Sequence, residues 1–125
     1  MKKYRVGFRF LSDDYALLEK FISDKKIDYR LIRKGVPSRP KSSTVPFSNI
    51  LVTNIFRSDS IEEIEKEIID LISKLDLENC SLDIKKEFWI SSVNDTDQFG
   101  FELSNELLRV IAKNKLKLCI SGVFV

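Results

Sequence analysis

The chain has 125 residues, 43% of them apolar and 32% charged, with a formal net charge of +2 and no histidine. That size suits one domain, residues 1–125, around one core, and the near-neutral balance recruits neither nucleic acid nor an anionic membrane by bulk charge. The missing imidazole removes the commonest general base, the commonest transition-metal ligand and every catalytic triad built on histidine.

Cys80 and Cys119 lie far apart in the chain and match no metal spacing, so no zinc site is expected. Two buried thiols in a reducing cytoplasm suit a chain that can build a core, and a single structural disulfide is the alternative. The four glycines are scattered, which leaves no phosphate-cradling loop. No cofactor is expected. The apolar run that should follow Met1-Lys2-Lys3 in a secretory signal is broken by Arg9, Asp13 and Asp14, and no stretch is long enough to cross a bilayer. The expected location is cytoplasmic.

Tyr4, Val6, Phe8 and Phe10 alternate with Arg5, Gly7 and Arg9, the period of a half-buried strand. Ser12 to Asp14 offer N-cap oxygens, and Leu17, Leu18, Phe21 and Ile22 follow at helical spacing, predicting about three turns of helix. Lys25 and Lys26 stand where cations suit the helix dipole. Ile27, Tyr29 and Leu31 predict a second strand, stopped by Gly35. Residues 36–47 hold Pro37, Pro40, Pro46 and Ser42-Ser43-Thr44, the composition of a long loop.

Asn49 to Arg57 predicts one continuous strand, with Ile50, Val52 and Phe56 on one side and Leu51 and Ile55 on the other. A strand apolar on both sides is expected in the centre of a sheet, with cover above and below. Ser60 and Glu63 have capping-box spacing. Ile61, Ile64, Ile68, Leu71, Ile72 and Leu75 form the cleanest amphipathic stripe of the chain. Leu77 to Lys86 fits either a short strand or a loop. Glu87 to Val93 predicts a strand, Asn94 to Glu102 an acidic loop, and Ser104 the cap of a third helix carrying Leu107, Leu108, Val110 and Ile111. Asn114 is placed to end that helix in a left-handed conformation. Lys115 to Val125 closes the chain as a strand with Leu116, Leu118 and Ile120 on one face. The order β-α-β-β-α-β-α-β predicts an α/β (α+β) two-layer sandwich: a ferredoxin-like core with an added helix and strand, helices mainly on one face.

Two local charge clusters are candidate binding surfaces. Arg30, Arg33, Lys34, Arg39 and Lys41 fall on one strand end and its loop with no acid among them, suited to phosphates or an acidic protein surface, or simply to a solvated loop. Asp95, Asp97 and Glu102 share the acidic loop, where solvated carboxylates, a shared proton or a hard cation are the alternatives. Glu62, Glu63, Glu65 and Glu67 crowd the start of the second helix, where the dipole favours anions. Trp89, the only tryptophan, reads first as a core residue and second as an interface anchor. Tyr15, off its helix's apolar stripe, is a weaker anchor candidate.

The segment Glu87-Phe88-Trp89-Ile90-Ser91-Ser92-Val93 is followed by Phe99-Gly100-Phe101, by Leu103-Ser104-Asn105-Glu106-Leu107-Leu108-Arg109 with Ile111-Ala112, and by Leu118-Cys119-Ile120-Ser121-Gly122. Together with the Arg33-Lys34-Gly35 turn, this resembles an uncharacterised bacterial family of domains of unknown function, the DUF4279-like group. The resemblance covers most of the chain and implies a small stand-alone cytoplasmic protein; it supplies no catalytic residue. As a class, the chain is also similar to small immunity proteins of toxin-delivery systems.

The expectation is a non-enzymatic protein-binding module, an immunity protein that neutralises a cognate toxin domain by direct contact. Arg30, Arg33, Lys34, Arg39 and Lys41 are its expected surface, with Asp95, Asp97 and Glu102 as a second. A nucleic-acid-binding or regulatory domain using residues 30–41 is the first alternative. A carboxylate-dependent enzyme using residues 95–102 is the second. Oligomeric state stays open.

Overall fold

The N-terminal alternation becomes strand β1 (Tyr4–Ser12), whose even-numbered residues are all buried. In this computed structural model the described residues are 3–37, 45–94 and 102–124. Helix α1 (Tyr15–Ser23) starts where the Asp14 carboxylate accepts the Leu17 N–H at 3.2 Å. It is nine residues long, closer to two and a half turns than three. At its far end the Lys25 ammonium donates to the Phe21 carbonyl and sits 4.1 Å over the Phe21 ring, as the dipole argument anticipates. Strand β2 (Tyr29–Ile32) follows. Gly35, at φ 74°, turns the chain away, and its N–H reaches the Pro46 carbonyl at 3.0 Å.

The stretch expected as one strand is two: β3 (Asn49–Thr53) and β4 (Phe56–Ser58). Both pair antiparallel with β1, but Arg9 faces Val52 while Val6 faces Phe56. The opposing chain therefore uses one more residue than β1 over this span, which defines a β-bulge at Thr53 to Ile55. The Phe8 N–H there is accepted by the Thr53 hydroxyl at 3.3 Å, and the Asn54 N–H by the Asp28 carbonyl at 3.2 Å. The extra residue exchanges the two faces beyond it. Phe56, expected beside Ile50 and Val52, packs against the core instead, and Arg57 turns to the opposite face.

Helix α2 (Ile61–Leu75) buries all six residues of the predicted stripe. Its capping box does not form. Ser60 occupies the N-cap but its hydroxyl caps nothing; Glu63 instead accepts from the Ser58 hydroxyl at 3.0 Å, which accepts the Ser60 N–H at 3.1 Å. The ambiguous stretch holds a short 3₁₀ turn (Leu77–Asn79) and the buried Ile84 before strand β5 (Lys85–Asn94). Ser104 caps helix α3 (Asn105–Lys113), accepting the Leu107 N–H at 3.1 Å. The left-handed residue at its end is Lys115, one later than expected, because the Asn114 amide bonds the Val110 carbonyl at 2.8 Å within the last turn. Strand β6 (Lys117–Phe124) ends the fold.

The six strands among the described residues form one sheet in the order β2-β3-β1-β5-β6, with β4 beside β1. All neighbours are antiparallel except β5 and β6, which are parallel and joined through α3. With β3 antiparallel to both β1 and β2, β1-α1-β2 is a split βαβ unit. The protein is thus an α+β fold with a mixed sheet. One core cluster joins the buried residues of all three helices to Val6, Phe8, Phe10, Leu51, Phe88 and Ile90 on a single face of the sheet. The expected cover on both sides of β3 is corrected: Leu51 is buried, whereas Ile50 and Val52, on the other face, are half-buried and outside that core. Leu108, Leu118 and Ile120, expected with the apolar rows of α3 and β6, are exposed.

Candidate functional site

The strand registers fix what the second face of the sheet carries. Arg5 faces Arg57 across β1 and β4, Arg9 faces Glu87 and Val52, and Gly7 faces Trp89. Arg30 faces Val52 and Ile32 faces Ile50 across β2 and β3. Lys85 lies opposite Leu11, and Lys117, Cys119 and Ser121 extend the row beyond Glu87, Trp89 and Ser91. Directly opposed residues share a face, so among the paired residues this surface bears Arg5, Arg9, Arg30, Arg57, Lys85 and Lys117 against Glu87. Between the cations lie Leu11, Ile32, Ile50, Val52 and Trp89. No described helix contributes to the core from this side.

At its centre the Trp89 indole lies over Gly7. A Cβ at Gly7 would come within 2.8 Å of the ring, so only glycine permits this approach. Arg9 donates from Nη2 to the Glu87 carboxylate at 3.0 Å. The Nε of Arg9 and the Nε1 of Trp89 are buried with no acceptor among the described residues, two unused donors on the central strands. Toward the β2 edge the bulge opens a hollow of about 370 Å³, lined by Arg30, Arg57, Asn54 and Asp28 over Ile32 and Val52.

The predicted basic cluster is divided between the two sides of the sheet. Arg30 joins the open face. Arg33 stacks 3.8 Å over the Tyr15 ring at the start of α1. The Lys34 ammonium lies 3.5 Å from the Asp13 carboxylate, and its backbone N–H is held by the Asn49 side chain at 2.7 Å. Arg39, Lys41, Asp95 and Asp97 lie outside the described residues; Glu102 is exposed just before α3. The acidic cluster of α2 is partly structural. Glu65 accepts the Ser104 N–H at 2.8 Å and Glu63 bonds Ser58, so both carboxylates tie α2 to its surroundings.

Sequence reasoning missed the open face as a unit. Arg5 and Arg9 signal it by alternating with the apolar residues of β1. Arg57 does not, because its side is set by the bulge, and Lys117 does not, because its position depends on a parallel partner distant in sequence.

Among the described residues no three His, Cys, Asp or Glu side chains gather as a metal site, and no helix is long and apolar enough to cross a membrane. Both cysteines are free thiols, half-buried rather than buried. Burial raises the Cys80 thiol above its ordinary value, against the opposing pull of Lys86 and Lys25. Cys119 lies on the open face beside Trp89. The arrangement offers donors, cations and an aromatic surface, which are means of recognition. Comparisons with family models, with curated proteins and with solved structures return no match to this chain.

Proposed function

We propose that the protein is a non-enzymatic binding module that engages an acidic surface of a partner protein through the open face of its sheet. A cytoplasmic immunity protein that neutralises a toxin domain by contact is the biological role that suits this reading. The observation that carries it is the charge of that face: among the described residues six cations stand against Glu87 on the paired strands and Asp28 at the rim of the hollow, spread around Trp89 on the central strands. Complementary charge speeds encounter and excludes wrong partners, and a tryptophan near the middle of a patch is a frequent energetic anchor. Single-stranded nucleic acid is the weaker fit. Such binders stack successive bases on several aromatics, and Trp89 is the one aromatic that the registers put among the cations.

The test is capture of the protein encoded beside this one, with growth protection on co-expression. Lys85→Glu with Lys117→Glu should slow association about tenfold at low salt. Trp89→Ala should weaken the complex by roughly thirtyfold. A partner that binds both variants as well as the parent chain, or co-expression without protection, sinks the reading.

A further inference from the structure

Arg5 and Arg57 stand directly opposite each other on adjacent antiparallel strands, both exposed and both on the open face. Side chains so placed have Cβ atoms about 4.5–5.5 Å apart, and like charges there repel. No ion pair joins either arginine to a carboxylate among the described residues. The bulge is the cause, since without its extra residue Arg57 would turn toward the core side. The same bulge opens the hollow of about 370 Å³ beside Arg57, with Arg30 on its other wall. Two guanidinium groups, those of Arg30 and Arg57, thus line one concavity with an apolar floor of Ile32, Val52 and Ile55, and Arg5 stands across the strand pair from Arg57.

We infer that this notch is a carboxylate-binding site that seats a glutamate- or aspartate-rich segment of the partner protein. Guanidinium forks match carboxylates with two parallel hydrogen bonds, which a lysine ammonium does not. A carboxylate between Arg5 and Arg57 removes their mutual repulsion, and the apolar floor accepts the methylenes of a glutamate while keeping water from the ion pairs. Asp28 lines the rim beside Asn54, whose N–H its carbonyl holds. It repels an anion from that end, so the acidic segment is drawn toward Arg57. The site rests on the open face being the working surface, and it names what that surface reads.

The experiment uses the full chain and a fluorescein-labelled peptide of alternating glutamate and alanine, with tripolyphosphate and an oligothymidylate as competing probes at matched ionic strength. Arg57→Glu should raise the melting temperature of the free protein by about 2–4 °C, because a like-charge pair becomes an opposite one. Arg57→Glu and Arg57→Gln should each weaken peptide binding at least tenfold, while Lys66→Glu, exposed on α2 and outside the open face, changes it less than threefold. Equal peptide affinity in the parent chain and Arg57→Glu overturns the site. So does retention of tripolyphosphate or oligothymidylate in preference to the peptide. A cognate partner that loses affinity with Trp89→Ala but is indifferent to Arg57→Glu overturns the notch and leaves the face reading standing. Peptide binding lost in Arg57→Glu, with no neighbouring protein captured, supports the notch and removes the assigned partner.

Discussion

The two faces of the sheet are built by the same strands from alternate residues, and they do opposite things. On the helix side Phe8 and Phe88 meet with ring centroids 5.1 Å apart, fully buried, and Phe10 meets Phe21 at the same distance. On the other side, one residue along, Arg9 meets Glu87 and Gly7 meets Trp89. The first face holds the fold together by excluding water. The second leaves long cations and a half-buried tryptophan outside that core. The buried core and the charged surface are thereby separated by a single residue step, so changes on one face should leave the other readable.

The largest expected effect is on the helix side. Phe88→Ala removes a fully buried ring and should lower stability by about 3–5 kcal/mol, measured by urea unfolding. Val52→Ala, on the open face, should cost only about 1 kcal/mol. Similar losses for both would erase the distinction between the faces.

Gly7→Ala tests a place where the open face is tightly packed. The new methyl meets the Trp89 ring at 2.8 Å, so the ring must lift. Overpacking of this kind costs about 1–3 kcal/mol. Trp89 is the only tryptophan, so its emission should shift to longer wavelength. Unchanged emission and stability would mean that the indole does not rest on Gly7.

The smallest effect concerns the two thiols, one on each side. Cys80 packs against the core, and burial raises its folded value above the ordinary 9.0. The native state therefore favours the protonated thiol. That contribution is complete below pH 9 and is lost as pH rises through the raised folded value. In a Cys119→Ser background, Cys80 should react with a disulfide reagent at pH 8 several-fold more slowly in the native chain than in urea. Cys80→Ser should flatten the fall in stability above pH 9. Equal reaction rates in the two states would show that burial does not protect this thiol.

Much of the helix side was legible in the chain, because burial there follows local periods. The stripe of α2 and the alternation in β1 needed no tertiary information, and the caps Asp14 and Ser104 act within three residues of themselves. The failures share a cause. The capping box at Ser60 lost Glu63 to Ser58, a competitor from the preceding strand. The basic cluster looked continuous because Arg30, Arg33 and Lys34 are neighbours in sequence, yet strand geometry and the nearby Tyr15 and Asp13 divide it. The real concentration of charge draws on strands separated by most of the chain.

By itself the sequence determined the α+β class, the elements carried by strong periodicity, and the lack of histidine. These follow from residue type and from side-chain spacing of two or about three and a half. Tertiary structure alone decided which face of the sheet the helices cover, where the bulge reverses the alternation, and that Arg5 and Arg57 meet. Those outcomes depend on the register between distant strands, where one inserted residue moves every later side chain to the other side, and local spacing carries no record of it.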